Sequence, residues 1–320
     1  MMAASPRLAI IVPCYNEEAV FNETERQLRA LLVRMKGEGL VAESSFVEYV
    51  DDGSRDQTWE LIEKASKSYP GEDRGVKLGH NAGHQNALLA GLETAVGECD
   101  ITITIDADLQ DDIEAIPRMV EAYRRGEEIV YGVRESRASD TWFKRNSAKA
   151  FYKTLNRLGV ESLDNHADFR LMSARAVKEL LRYKEDNIFL RGIVPRIGLP
   201  HSNVYYSRKA RQSGETKYPL KKMVNFAVQG ITSFSIRPVR MVFSLGMLFL
   251  IIATGIFIYT IVRYFNNDVI EGWTSLMLSI WFCTGVLLLC LGIIGEYVGK
   301  IFMEVKNRPR YVIEKTTANS

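Results

Sequence analysis

Apolar and polar positions divide the chain into two regimes. Through the first part, short apolar runs at residues 8–12, 46–50, 75–78, 101–105 and 128–133 alternate with stretches near 20–35, 58–68, 85–96 and 113–125, whose apolar residues recur at helical spacing. Short aliphatic and β-branched runs read as strands, and a period of three to four residues reads as an amphipathic helix. Strict alternation of the two predicts an α/β fold: a Rossmann-like, mostly parallel sheet with helices on both faces. Ligands of such sheets bind beyond the carboxyl ends of the strands, so residues with a chemical task are expected just after each strand.

After Arg240 the pattern changes. Residues 241–262 and 274–295 are two runs of 22 residues without a charge, each long enough as a helix to span about 33 Å at ~1.5 Å per residue, against a hydrocarbon core of roughly 30 Å. Two membrane-spanning helices are predicted, joined by the short loop 263–273. Lys221, Lys222, Arg237 and Arg240 precede the pair and Lys300, Lys306, Arg308 and Arg310 follow it, while the loop carries only Arg263. This bias puts both flanks in the cytosol and the loop outside, with Tyr264 and Trp273 at an interface. Just upstream, Leu220, Met223, Val224, Ala227, Val228, Ile231 and Phe234 share one helical face. That stripe predicts a helix lying in the membrane surface, with packing on the globular domain as the alternative. The expected organisation is a cytosolic catalytic domain at 1–218, an amphipathic interfacial helix at 219–238, a transmembrane hairpin at 239–296 and a cytosolic tail at 297–320.

Composition adjusts this picture little. A formal charge of +2 with 25% charged residues lacks the basic excess of a nucleic-acid binder. Six basic residues between Arg208 and Lys222 against the single acid Glu215 form a local cluster suited to anionic head groups or a phosphate substrate. Cys14, Cys99, Cys283 and Cys290 have no paired spacing and read as buried thiols of a reducing compartment. Residues 8–12 are too short a run, broken by Pro13 and followed by Glu17 and Glu18, for a secretory signal.

Polar clusters do follow the predicted strands: Pro13-Cys14-Tyr15-Asn16-Glu17-Glu18, Asp51-Asp52-Gly53-Ser54, Asn81-Ala82-Gly83 and Asp106-Ala107-Asp108-Leu109-Gln110. Any one of them could be a turn or a helix cap. Four at strand carboxyl ends point to a ligand site. Asp106 and Asp108, two residues apart, can turn both carboxylates toward one hard cation, Mg2+ or Mn2+, or toward one cation and a ribose, with Gln110 as a further oxygen donor. A metal so held would bridge a nucleotide diphosphate and neutralise charge on a leaving group. No glycine-rich dinucleotide fingerprint follows the first strand, and no Gly-Lys-Ser/Thr phosphate loop occurs. His80 and His84 stand four apart in a loop and do not read as a metal pair.

With these motifs in hand, the chain resembles family-2 glycosyltransferases of the GT-A fold, and among them the polyprenyl-phosphate glycosyltransferases. Bactoprenol glucosyltransferases and, more distantly, dolichol-phosphate mannosyltransferases are the similar groups. The resemblance extends to His166-Ala167-Asp168-Phe169-Arg170, Gly214-Glu215-Thr216-Lys217-Tyr218 and Gly295-Glu296-Tyr297-Val298-Gly299-Lys300. It implies that Pro13, Tyr15, Asn16, Glu17, Asp51 and Asp52, with Asn81, Gly83 and Ala107, surround the nucleotide of a UDP-sugar. It implies that Asp106, Asp108 and Gln110 hold the metal and diphosphate, and that Arg134, Arg170, Arg211 and Lys217 cradle phosphates. Asp168, Asp108 and Arg170 become the catalytic candidates, Asp168 alternatively capping a helix that starts near Ser173. The implied reaction is inverting transfer of a hexose, glucose first, to undecaprenyl or another polyprenyl phosphate at the cytosolic face of the plasma (inner) membrane. N-acetylglucosamine, galactose and a catalytically inactive membrane-tethered scaffold are the alternatives. A homo-oligomer (dimer or tetramer), a downstream flippase and a membrane glycosyltransferase are the implied partners. The Gln-x-x-Arg-Trp motif of processive synthases is absent; Phe189-Leu190-Arg191-Gly192 stands where it would fall.

Overall fold

The computed structural model describes residues 5–134, 166–185, 189–207 and 272–317, with ten further positions between 242 and 259. The chain divides into two compact units, Met1–Asn146 with Ser162–Lys217 and Arg308–Ser320, and Ser147–Glu161 with Tyr218–Asn307. In the first unit, eight strands form one sheet: β1 (Leu8–Cys14), β2 (Phe46–Asp51), β3 (Asp73–Leu78), β4 (Ile101–Thr104), β5 (Ile129–Arg134), β6 (His166–Ser173), β7 (His201–Tyr206) and β8 (Ile313–Thr316). Their order is β7-β5-β6-β4-β1-β2-β3-β8. Helices α1 (Phe21–Gly37), α2 (Thr58–Ser68), α3 (His84–Ala95), α4 (Ala115–Arg124), α5 (Ala174–Leu181) and the short α6 (Leu190–Ile193) connect them.

β1 is central because it has no polar side chain to expose: all seven residues are buried, as a continuous apolar run demands. Its residues alternate between faces. Leu8, Ile10, Val12 and Cys14 join a core with Leu28, Leu31, Leu32 and Met35 of α1 and Ile116, Met119 and Val120 of α4. Ile11 faces the other way, toward Gly91 of α3, where a Cβ would lie 2.4 Å from the Ile11 side chain and 2.7 Å from that of Val50. The glycine lets α3 lie directly on β1 and β2, and helices cover both faces.

The sheet is mixed rather than mostly parallel. β3, β2, β1 and β4 run parallel, as do β5 and β7, but β6 is antiparallel to both β4 and β5. β6, which was not expected as a strand, carries His166-Ala167-Asp168-Phe169-Arg170. Its charged residues interrupt the alternation by which a strand is read. Asp168 consequently lies within a strand, and Ser173 is the helix cap, its hydroxyl accepting the Ala176 N–H at 3.0 Å.

β8 pairs antiparallel with the outer edge of β3. The Thr317 hydroxyl accepts the Gly75 N–H and the Ser66 hydroxyl, both at 2.8 Å, the Tyr311 hydroxyl donates to Glu93 at 2.5 Å, and Arg310 donates to the Tyr183 carbonyl at 2.6 Å. The residues expected to form a separate tail therefore complete the sheet of the first unit. In the second unit, α7 (Trp273–Lys306) is a helix of 34 residues that starts where the second predicted span does and runs on past Gly295. Its segment Phe282–Lys306 has mean hydropathy 1.9 and is long and apolar enough to cross a membrane. The described positions of the first predicted span are helical, and the interfacial helix falls outside the described residues. Cys14 and Cys99 are buried, but Cys283 lies exposed on α7 and Cys290 half-exposed, against the expectation of four buried thiols.

Two acids are buried far from the carboxyl ends of the strands. Asp73 is 1% exposed and neither of its oxygens meets a hydrogen-bond donor; burial, with Glu25 beside it, pushes its carboxyl up to about 7. Burial likewise pushes Glu48 up to about 7, although Thr94 donates to it. Each folded-state pKa exceeds the unfolded value of ~4, so the folded state holds these protons more tightly. The stability they contribute is complete below about pH 4 and is lost as pH rises through about 7. Asp73→Asn should therefore raise Tm of the purified chain by about 5 °C at pH 8, roughly 2 kcal/mol, and by less at pH 5. An equal gain at both values would show that Asp73 is ionised throughout.

Candidate active site

The polar clusters converge where β1 and β4 end, the point at which neighbouring connections run to opposite sides of β1. The first loop leaves Tyr15 41% exposed and puts Asn16 in the left-handed region at φ 55°. It is tied to the second loop: the Asn16 N–H donates to the Ser54 hydroxyl at 3.0 Å, the Asn16 side-chain oxygen accepts the Arg55 N–H at 2.9 Å, and the Glu17 N–H donates to Thr58 at 2.9 Å. Pro13 is buried in β1 and Glu17 is half-buried, its carbonyl opening α1.

Asp51 and Asp52 take different tasks. Asp51 is fully buried; one oxygen accepts the Ser54 N–H at 3.2 Å and the other has no partner. That buried oxygen is an acceptor left without a donor. Asp52 instead accepts the N–H groups of Ala82 and Gly83 at 2.6 and 3.0 Å. It fixes the loop of Asn81 and Gly83 that opens α3. Gly53, at φ +67°, fits only as glycine, since a Cβ would lie 2.6 Å from the Asn81 nitrogen.

Beyond β4, Thr24 donates to the carbonyl of buried Ala107 at 2.6 Å, and Leu109 takes φ 44°, a strained choice for a non-glycine residue. Gln110 donates through its side-chain amide and its N–H to the two oxygens of Asp108. It therefore orients a carboxylate. Among the described residues no group of three or more His, Cys, Asp or Glu side chains is arranged to enclose a metal. The donor set still fits one: burial raises the pKa of Asp106, and after the lowering effect of His84, the charges of Asp168, Asp111 and Asp108 raise it further. Such an excess of carboxylates calls for a cation. Mg2+ and Mn2+ are commonly held by one or two carboxylates with the rest from substrate phosphates.

Because β6 is antiparallel, its early residues lie at the carboxyl end of β4. The Thr104 hydroxyl donates to the Asp168 carbonyl and Thr104 pairs in register with Arg170. Asp168 and Arg170, two apart, face the same way, and Arg170 donates to Asp168 at 2.7 Å while only 3% exposed. Two partners escaped the sequence reading. His84, at the head of α3, holds its Nε2 3.5 Å from Asp106 and 3.7 Å from Asp168. Arg191 reaches Asp168 at 3.0 Å. Burial opposes the His84 imidazolium, but Asp168 and Asp106 outweigh it and raise its pKa. Burial likewise opposes the Asp168 carboxylate, yet His84, Arg170 and Arg191 hold its pKa well below the usual carboxylate range. Asp168 is thus a fixed negative charge and a poor proton acceptor.

Arg134 is not free. It donates to Asp111, which also accepts the Tyr206 hydroxyl at 2.7 Å, so the guanidinium is held at the edge of the site. Asp111 directly follows Gln110 and could have been singled out as a third acid of that loop. Arg211 and Lys217 lie outside the described residues.

The model of glycosyl transferase family 2 matches residues 9–181, and the model of the GtrB C-terminal hairpin matches residues 237–301. The uncharacterized glycosyltransferase YkoT of Bacillus subtilis is 51% identical, covering 98% of this chain and 93% of its own. The SfII prophage-derived bactoprenol glucosyl transferase of Shigella flexneri is 37% identical over 97% of this chain and 98% of its own. The prophage bactoprenol glucosyl transferase homolog of Escherichia coli is 35% identical over 97% and 99%.

Proposed function

The chain belongs to glycosyl transferase family 2, and from that premise we propose that it transfers glucose from UDP-glucose to a polyprenyl phosphate at a membrane surface. The observation that carries this reading is the convergence of Asp106, His84, Asp168, Arg170 and Arg191 at the carboxyl ends of the strands, in a chain similar to bactoprenol glucosyl transferases along nearly its whole length.

Tyr15 offers a face for the base and the free oxygen of Asp51 accepts its imide N–H. Asp106 and Asp108 would hold Mg2+ or Mn2+, which when bound neutralises charge on the departing diphosphate. The acceptor phosphate monoester, with a second pKa near ~6, is largely dianionic at neutral pH and needs no base. The low pKa of Asp168 accords with this: its charge orients the acceptor and stabilises positive charge that builds at the anomeric carbon. The phosphate oxygen attacks that carbon as the bond to the diphosphate breaks on the opposite face, inverting its configuration.

Chain connectivity supports a membrane hairpin. β8 follows α7 and shares a sheet with the strands that precede residues 208–307, so both ends of that segment lie on one side of any bilayer it enters. An even number of crossings follows, and the basic flanks favour the cytosolic side.

Incubating membranes containing the full chain with radiolabelled UDP-glucose, UDP-galactose and UDP-N-acetylglucosamine, then extracting lipid, tests donor and acceptor together. Label in a polyprenyl-phosphate fraction from UDP-glucose is expected. Label from another donor corrects the sugar, and no lipid product from any donor overturns the reading in favour of a non-catalytic scaffold.

A further inference from the structure

Asp168 has two arginine partners, and they differ in freedom. Arg170 is buried and bonded at two of its nitrogens: one is on Asp168, another donates to the Leu190 carbonyl at 3.4 Å. The Leu190 N–H in turn donates to the side-chain oxygen of Gln85 at 2.8 Å. Both polar groups of Leu190 are thus gripped by side chains from α3 and β6. This fixes the point from which the next residue, Arg191, departs.

Arg191 gives Nε and one terminal nitrogen to Asp168, at 3.3 and 3.0 Å, while its other terminal nitrogen makes no hydrogen bond with any described residue. Its side chain is 46% exposed, against 3% for Arg170. An acceptor phosphate that attacks beside Asp168 must bring a dianion toward a carboxylate. Like charges that close repel strongly away from bulk water. A cation with unused donors has to face the incoming phosphate. Arg170 could do so only by leaving a buried ion pair, and His84 is held between two acids. Arg134 is engaged by Asp111. Arg191 is 46% exposed, keeps one terminal nitrogen without a hydrogen bond among the described residues and presents a planar fork suited to phosphate oxygens, which the comparably exposed His84 lacks.

We propose that Arg191 receives the phosphate of the lipid acceptor, exchanging part of its contact with Asp168 for the phosphate, and that Gln85 and Arg170 position it through Leu190. This rests on the functional reading above. The hydrogen bonds of Arg191 go to Asp168, and its attraction to Asp106 is weaker than that to Asp168, which favours the acceptor over the diphosphate as its ligand.

The test uses the full chain in membranes with UDP-glucose and a polyprenyl phosphate, reading KM for each substrate separately. R191Q should raise KM for the lipid phosphate by about tenfold or more, as expected for loss of a hydrogen bond to a charged group, and leave KM for the donor within about twofold. R191K should recover part of the loss, because charge returns without the fork. Gln85→Leu keeps the arginine but releases Leu190, and should raise the lipid KM by about threefold with donor KM unchanged; this variant decides by the same split if R191Q does not fold. An unchanged lipid KM, or a donor KM that rises in step, overturns the proposal, the latter by moving Arg191 to the diphosphate. If the wild-type chain gives no lipid product with any donor, the functional reading falls first and the proposal with it.

Discussion

Asp168→Asn is expected to lower both turnover and stability, and the two losses separate in a second variant. Turnover should fall by ~10²–10³-fold, because an orienting charge beside the reacting phosphate is lost and small misplacements at a reacting centre cost about that much. Stability should fall by roughly 3–5 kcal/mol, since Arg170, 3% exposed, would keep its charge without a carboxylate. At ~2–4 °C per kcal/mol the drop in Tm is about 10 °C. Adding Arg170→Met removes the stranded cation. Stability is then expected to return, because a buried ion pair replaced by apolar groups is often neutral, whereas turnover stays low. Recovery of turnover in the double variant would reduce Asp168 to a structural partner of Arg170.

Asp106→Asn should act in the opposite sense on stability. Burial and the neighbouring carboxylates disfavour the charge of Asp106 in the absence of a cation, with His84 only partly compensating. A neutral amide of the same shape relieves that repulsion, and Tm without metal is expected to rise slightly, since the Asp106 side chain is 43% exposed and solvent screens its charge. Turnover should fall by about 10³-fold, since a metal at a developing anion contributes several kcal/mol and each ~1.4 kcal/mol is a factor of ten. Mn2+ with UDP should raise Tm of the wild-type chain by linkage and leave the variant unmoved. If ligand stabilises both equally, the diphosphate and metal are held without Asp106. A site that destabilises its own fold until the ligand arrives is a common cost of function.

Much of this arrangement could be read from sequence wherever a side chain acts through local pattern. β1 to β4 and the helices between them are visible because their apolar residues keep a regular period, and the acids of Asp51-Asp52 and Asp106-Ala107-Asp108 stand out as polar groups at strand ends. β6 and β8 are hidden for physical reasons. β6 carries an acid and an arginine whose partners, each other and His84, Arg191 and Leu190, come together only in the fold, and β8, Ile-Glu-Lys-Thr, lies far along the chain from the β3 edge it covers. The pairing of Arg191 with Asp168, and of Asp52 with two backbone N–H groups, depends on three-dimensional proximity and has no signature in spacing. His84 directly follows Asn81-Ala82-Gly83, but its role emerges only when β6 brings Asp168 beside Asp106.

The return of the chain to the β3 edge bears on how the protein is made. β1 to β7 are synthesised first, yet β3 keeps an unpaired edge until residues 311–317 have left the ribosome, and these follow residues 208–307. An open, partly apolar edge is a template for pairing with other chains. Completion of the sheet is therefore postponed until the long apolar helix has been synthesised, so the fold of the first unit depends on the far end of the chain. A soluble fragment ending near Tyr218 would be an enzyme with one side of its sheet left open, and its aggregation would report a missing strand rather than a missing membrane.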